Sequence, residues 1–125
     1  QQHVVTCAPS FVQAAGVAAL QGPQGCVDEM TAEYDRRRRF MADALNAIPG
    51  VHCPLPEGAF YLFPEVAFQG LDSNALAKFM IEKAHVAVTP GSAFGHAGTR
   101  NIRLTFATSM ANLRQAAEQM KTAMA

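Results

Sequence analysis

The stretch Ile102-Arg103-Leu104-Thr105-Phe106-Ala107 alternates cleanly: Ile102, Leu104 and Phe106 fall on one side, Arg103, Thr105 and Ala107 on the other. Successive side chains of a strand point to opposite faces, so this pattern predicts a strand with one apolar and one open face. A sheet built from such strands must be covered on its apolar side. The flanking sequence provides the cover. Ser109 is placed to cap an amphipathic helix over Met110–Met124, and Asp72 or Ser73 to cap a helix over Asn74–Ala84 with apolar face Leu76, Phe79, Met80 and Ala84.

Further strands are expected at Val51-His52-Cys53, before Pro54 and Pro56; at Ala59–Phe63, between Gly58 and Pro64; and at Val86-Ala87-Val88-Thr89, ending at Pro90-Gly91. Upstream, Val27, Met30, Tyr34, Met41, Leu45 and Ile48 recur at three-four spacing and predict a long helix from about Cys26 to Ile48, ended by Pro49-Gly50. Before it, Val4–Ala8 is a short β-prone stretch stopped by Pro9. Ser10 is placed as N-cap of an Ala-rich helix, Phe11–Gln21, which Gly22-Pro23 terminates. Two leading helices followed by β-β-α-β-β-α give an α+β (two-layer α/β) fold, a small sheet of about three to four strands with helices over one face.

At 125 residues the chain has room for about one domain. Half its residues are hydrophobic and 16% charged, which excludes a disordered chain. Ten basic residues balance ten acidic ones, so no field draws the chain to nucleic acid or an anionic membrane. No apolar run approaches the roughly 20 residues that span a bilayer. The three cysteines, Cys7, Cys26 and Cys53, are odd in number and lack a C-x-x-C, which points to free thiols and a cytoplasmic location. The start Gln1-Gln2-His3-Val4 has neither an initiating Met nor a charged signal region and reads as cut from something longer. Phe11–Leu20 is apolar nearly all round, so it is expected to be covered by another domain or subunit.

Few residues carry chemistry. Lys78, Lys83 and Lys121 sit at positions that suggest solvent rather than the desolvated pocket a Schiff-base lysine needs. The loop Pro90–Gly98 is Gly-rich but matches no phosphate-binding pattern, and reads as a turn between two strands. His3, His52, His85 and His96 show no ligand spacing, so no metal site is expected. Arg36–Arg39 follow Asp28, Glu29, Glu33 and Asp35 at helical spacing, as a solvated face with stems lying over the core. Arg103 stands apart, a charge in the middle of an apolar strand. Its planar fork suits a carboxylate or phosphate, and the pattern alone leaves open a wetted arginine paired to a surface acid.

Three strings taken in order are similar to the C-terminal part of class I, fold-type I, pyridoxal-phosphate-dependent aminotransferases, the family that includes aspartate aminotransferase. They are P-G-V-H-C-P-L-P-E-G-A-F-Y-L-F-P (Pro49–Pro64), V-A-V-T-P-G-S-A-F-G (Val86–Gly95) and N-I-R-L-T-F-A-T-S (Asn101–Ser109). T-C-A-P-S-F-V-Q-A-A (Thr6–Ala15) and the helix with the Arg run also resemble the family. The resemblance implies residues 1–22 as the end of a large-domain region and 23–125 as the small C-terminal domain. It implies a homodimeric enzyme that moves an amino group between an amino acid and a 2-oxo acid, using pyridoxal 5'-phosphate. Arg103 would bind the substrate α-carboxylate, and Phe60 would line the substrate pocket, if it is not simply a core aromatic. The family's Schiff-base lysine and its other cofactor-holding residues lie upstream and have no counterpart here, so the chain alone is expected to be inactive. A related enzyme on the same scaffold (a C–S lyase or aminocyclopropane-carboxylate synthase type) and a non-catalytic module binding a carboxylate or a partner are the alternatives.

Overall fold

A computed structural model describes residues 7–125. The expected strand Val4–Ala8 therefore lies outside the described residues except for Cys7 and Ala8, which are not in a strand. The elements are helices α1 (Ser10–Gln21) and α2 (Gly25–Asn46), strands β1 (Val51–His52), β2 (Tyr61–Leu62) and β3 (Glu65–Val66), and helix α3 (Ser73–Phe79), which widens into a π-helical turn at Met80–Ala84. Strand β4 (Thr89–Pro90), two 3-10 turns (Gly91–Phe94 and His96–Gly98), strand β5 (Ile102–Thr105) and helix α4 (Met110–Ala123) complete the chain. It divides into two compact units, the first ending at Thr31 and the second comprising Ala32–Ala125.

In the first unit, Pro9 rather than Ser10 occupies the N-cap of α1, and no side chain caps the helix. The Pro9 carbonyl instead accepts from the amides of Val12 and Gln13. No residue of α1 is buried; Phe11 is 75% and Leu20 84% exposed. The Gln24 side-chain amide donates to the carbonyls of Ala19 and Gly22 and ties off the turn that follows.

In the second unit the fold is α+β, as the alternation predicts. Strand β5 is the centre of an antiparallel three-stranded sheet in the order β2-β5-β4, with Tyr61 opposite Thr105, Leu62 opposite Leu104 and Thr89 opposite Arg103. The register extends beyond the strands. The amide of Phe106 donates to Phe60, that of Ile102 to Pro64 and that of Val66 to Arg100, so residues 60–66 run beside 100–106. This register sends Leu62, Ile102, Leu104 and Phe106 into the core, where they join Met41 and Leu45 of α2, Ile48 just after it, Leu76 and Met80, and Leu113 and Met120 of α4. Phe106 is fully buried.

One strand expectation needs correction, and one strand appears where none is expected. Val86, Ala87 and Val88 are not in a strand; only Thr89–Pro90 pairs with β5, although Val86 and Val88 do pack against the core. Glu65–Val66, too short to show a strand period in the sequence, pairs with β1 as a two-stranded ladder. The helix expected over Asn74–Ala84 changes to π-helical hydrogen bonding at Met80 and ends at His85, a non-glycine residue in the left-handed region (φ 55°). Asp72 caps α3 through the amides of Asn74 and Ala75, and Ser109 caps α4 through that of Asn112.

The Arg run behaves as a solvated face. Glu33 takes charged hydrogen bonds from Arg36 and Arg37, and Asp35 from Arg38 and Arg39. Arg38 also reaches the Pro56 carbonyl. The guanidinium of Arg36, followed by that of Arg37, holds the Glu33 carboxyl at about 2, below its usual 4.5. Asp35 is lowered in the same way by Arg39 and Arg38. A carboxylate with a depressed native pKa contributes its stability above the unfolded value and loses it as pH falls through the native one. Stability should therefore decline between pH 4.5 and 2 in part through Glu33, and the urea midpoint of Glu33→Gln should fall less over that window than that of the wild type. Parallel declines would show that the Glu33 pairs contribute nothing to folding.

Candidate functional site

Arg103 projects from the middle of β5 on the face of the sheet opposite the core, half-buried between the buried Ile102 and Leu104. Because Leu62 points inward, Tyr61 and Phe63 point outward beside it. Phe63 falls directly opposite Arg103 in the continued register, and Tyr61 lies on the diagonal. The Arg103 guanidinium lies 4.4 Å from the Tyr61 ring centroid and 4.5 Å from that of Phe94, over both ring faces. Phe63 meets Phe94 edge to face at 5.8 Å. Among the described residues, Arg103 forms no ion pair with an Asp or Glu. The neighbouring Arg100 does, with Glu65.

Phe94 reaches Arg103 because of how its loop closes. Gly91 and Gly98 approach backbone to backbone: a Cβ at Gly98 would lie 2.2 Å from the Gly91 carbonyl oxygen, and one at Gly91 2.3 Å from that of Gly98. The Gly91 amide donates to the Asn101 carbonyl at 2.8 Å, which sets the loop against the start of β5. Ser73, fully buried at the start of α3, anchors the other side. Its amide donates to Thr99, and its hydroxyl accepts from the amide of Ser92. The loop joins two antiparallel strands, as its composition suggested, and it also carries an aromatic ring onto the arginine.

Phe60 is not a closed core aromatic; it is 42% exposed. Its ring stacks on Tyr34 at 6.3 Å and packs against Tyr61 at 4.7 Å, so it reaches Arg103 only through Tyr61. Its carbonyl accepts from the Phe106 amide and the Thr105 hydroxyl. Lys78, Lys83 and Lys121 are all exposed, and Lys78 lies 3.9 Å from Glu82. None occupies the desolvated setting that lysine–carbonyl chemistry needs. Cys7 and Cys26 are exposed, whereas burial of Cys53 pushes its thiol up to about 11, away from the thiolate form.

The concavities of the second unit lie elsewhere. One of about 430 Å³ is formed by Val66–Asp72 with Thr99 and Arg100, and another of about 340 Å³ has Met41, Leu104 and Leu113 as its floor and His85, Thr108 and Asn112 on its rim. Arg103 lines neither of them. It stands on the outer sheet face of the second unit, between the rings of Tyr61 and Phe94 and outside both concavities. Among the described residues no helix is long and apolar enough to cross a membrane.

The sequence pattern described as aminotransferase class I and II matches residues 1–120. An aspartate aminotransferase of Musicola paradisiaca is 41% identical over 98% of this chain and 31% of its own length. An aromatic-amino-acid aminotransferase of Thermococcus litoralis is 39% identical over 97% of this chain and 31% of its own. Among solved structures, the aspartate aminotransferase of Rhizobium meliloti superposes with a TM-score of 0.89 at 38% identity, covering 98% of this chain and 33% of that one. The chain thus spans about a third of the length of the relatives it matches.

The Gly91–Gly98 approach gives a direct test of the loop. Gly98→Ala forces a methyl against a carbonyl that belongs to the backbone and has no rotamer to escape into. The substitution should cost on the order of 1–3 kcal/mol, the range for overpacking, read as a lowered urea midpoint. A midpoint equal to that of the wild type would show that the loop is not closed at this contact.

Proposed function

Since the chain belongs to the class I and II aminotransferases, we propose that it supplies the substrate-carboxylate anchor of an enzyme that moves an amino group between an amino acid and a 2-oxo acid. The observation that carries this reading is Arg103, a guanidinium on a rigid strand with no carboxylate of the described chain paired to it. An amino acid and the 2-oxo acid derived from it differ at the α-carbon but share the α-carboxylate. A planar two-pronged donor aimed at that carboxylate holds both ends of the reaction in the same place. Phe60, whose ring packs against that of Tyr61, would line the substrate site that Arg103 anchors.

The family implies pyridoxal 5'-phosphate. The residues of this chain do not fit its attachment, because each lysine is exposed. We assign the cofactor-holding groups to polypeptide beyond this chain, in keeping with the third of its relatives' length that it spans. On this reading residues 1–22 end a large domain and 23–125 form the small one. The large domain or a second subunit of a cytoplasmic homodimer covers the exposed Phe11, Val12, Val17 and Leu20 of α1, since broad apolar patches are rare on free surfaces.

In the complete enzyme Arg103→Lys keeps the charge but loses the paired in-plane donors. kcat/KM for amino acids should fall at least ~100-fold, about 3 kcal/mol, while cofactor affinity and melting temperature hold. Unchanged amino-acid kinetics would return Arg103 to a wetted arginine on a sheet face.

A further inference from the structure

We propose that Tyr61 and Phe94 are positioning residues that hold the Arg103 guanidinium against their ring faces and leave its N–H donors to the substrate carboxylate. The proposal rests on the reading of Arg103 as that anchor. An arginine side chain is long and rotamer-rich, and an anchor left to wander loses its geometric advantage. Protein carboxylates are the usual means of fixing one, as Glu65 does for Arg100. That solution is closed to an anchor, because a bound carboxylate would occupy the donors the substrate needs.

Ring faces solve the problem differently. All five guanidinium N–H donors lie in the guanidinium plane, whereas an aromatic face attracts the cation through its quadrupole. Contacts of 4.4 Å to Tyr61 and 4.5 Å to Phe94 hold the group and consume no hydrogen bond. Both rings are themselves placed by other elements. Tyr61 is fixed by the β2–β5 register, and Phe94 by the glycine-closed loop and the edge of Phe63. Neither ring is needed to fill the core: Tyr61 is 37% and Phe94 51% exposed. What the two rings share is the guanidinium of Arg103, which forms no ion pair with an Asp or Glu among the described residues.

The test uses the complete enzyme and two unreactive carboxylates, succinate and 3-phenylpropionate, with binding followed by calorimetry. Tyr61→Leu and Phe94→Leu should each weaken binding about tenfold and raise the amino-acid KM in proportion. Tyr61→Phe, which keeps the ring face, should restore affinity to within about twofold of the wild type. With Arg103→Ala already in place, the leucine substitutions should add no further loss, since the rings act through the arginine. If Arg103→Ala weakens binding but the leucine variants do not, the positioning role is wrong and the anchor stands. Losses that persist undiminished without Arg103 would also overturn it, because the rings would then touch the ligand directly. If Arg103→Ala itself leaves binding unchanged, the anchor reading fails and the positioning role falls with it. Should Tyr61→Leu fail to fold, Phe94→Leu, on its exposed loop, carries the same comparison.

Discussion

The pairing of residues 60–66 with 100–106 is the constraint from which the rest of the second unit follows. Strand side chains alternate with a period of two, so a slip of one residue would turn the whole set over. In the observed register Leu62, Ile102, Leu104 and Phe106 enter the core together, and Tyr61, Phe63 and Arg103 emerge together on the other side. The burial that stabilises one face thereby fixes the composition of the other. Arg103 is held in place by Ile102 and Leu104, its buried apolar neighbours in the strand.

The second requirement is the loop before β5. Gly91 and Gly98 let two backbone segments approach more closely than any side chain would allow, and Ser73 ties the result to the start of α3. This closure brings Phe94 over a guanidinium on a different element. The arrangement divides labour between a sheet that aims the arginine and a loop that adds a second ring.

The helix caps at Asp72 and Ser109 and the alternation through Phe106 were legible because each is a local signal backed by tertiary burial. The extent of β4 was not. Val86 and Val88 carry the right pattern and pack against the core, yet no ladder hydrogen bonds reach them after the left-handed turn at His85. Glu65–Val66 is too short for any period to show. At the site, Arg103 stood out as a charge in an apolar strand. Tyr61 was readable in principle, since an inward Leu62 places Tyr61 and Phe63 outward. Phe94 had no such signal, because its approach depends on a contact between glycines seven residues apart.

On the proposed reading, Arg103 is kept free of protein carboxylates so that it can take one from the substrate. A crystal structure of the complete enzyme with succinate bound tests this most directly. A carboxylate of the ligand is expected in the guanidinium plane of Arg103, accepting two parallel N–H bonds while Tyr61 and Phe94 remain against the guanidinium. A ligand bound with its carboxylates on other groups, and Arg103 paired to an Asp or Glu of the protein, would contradict it.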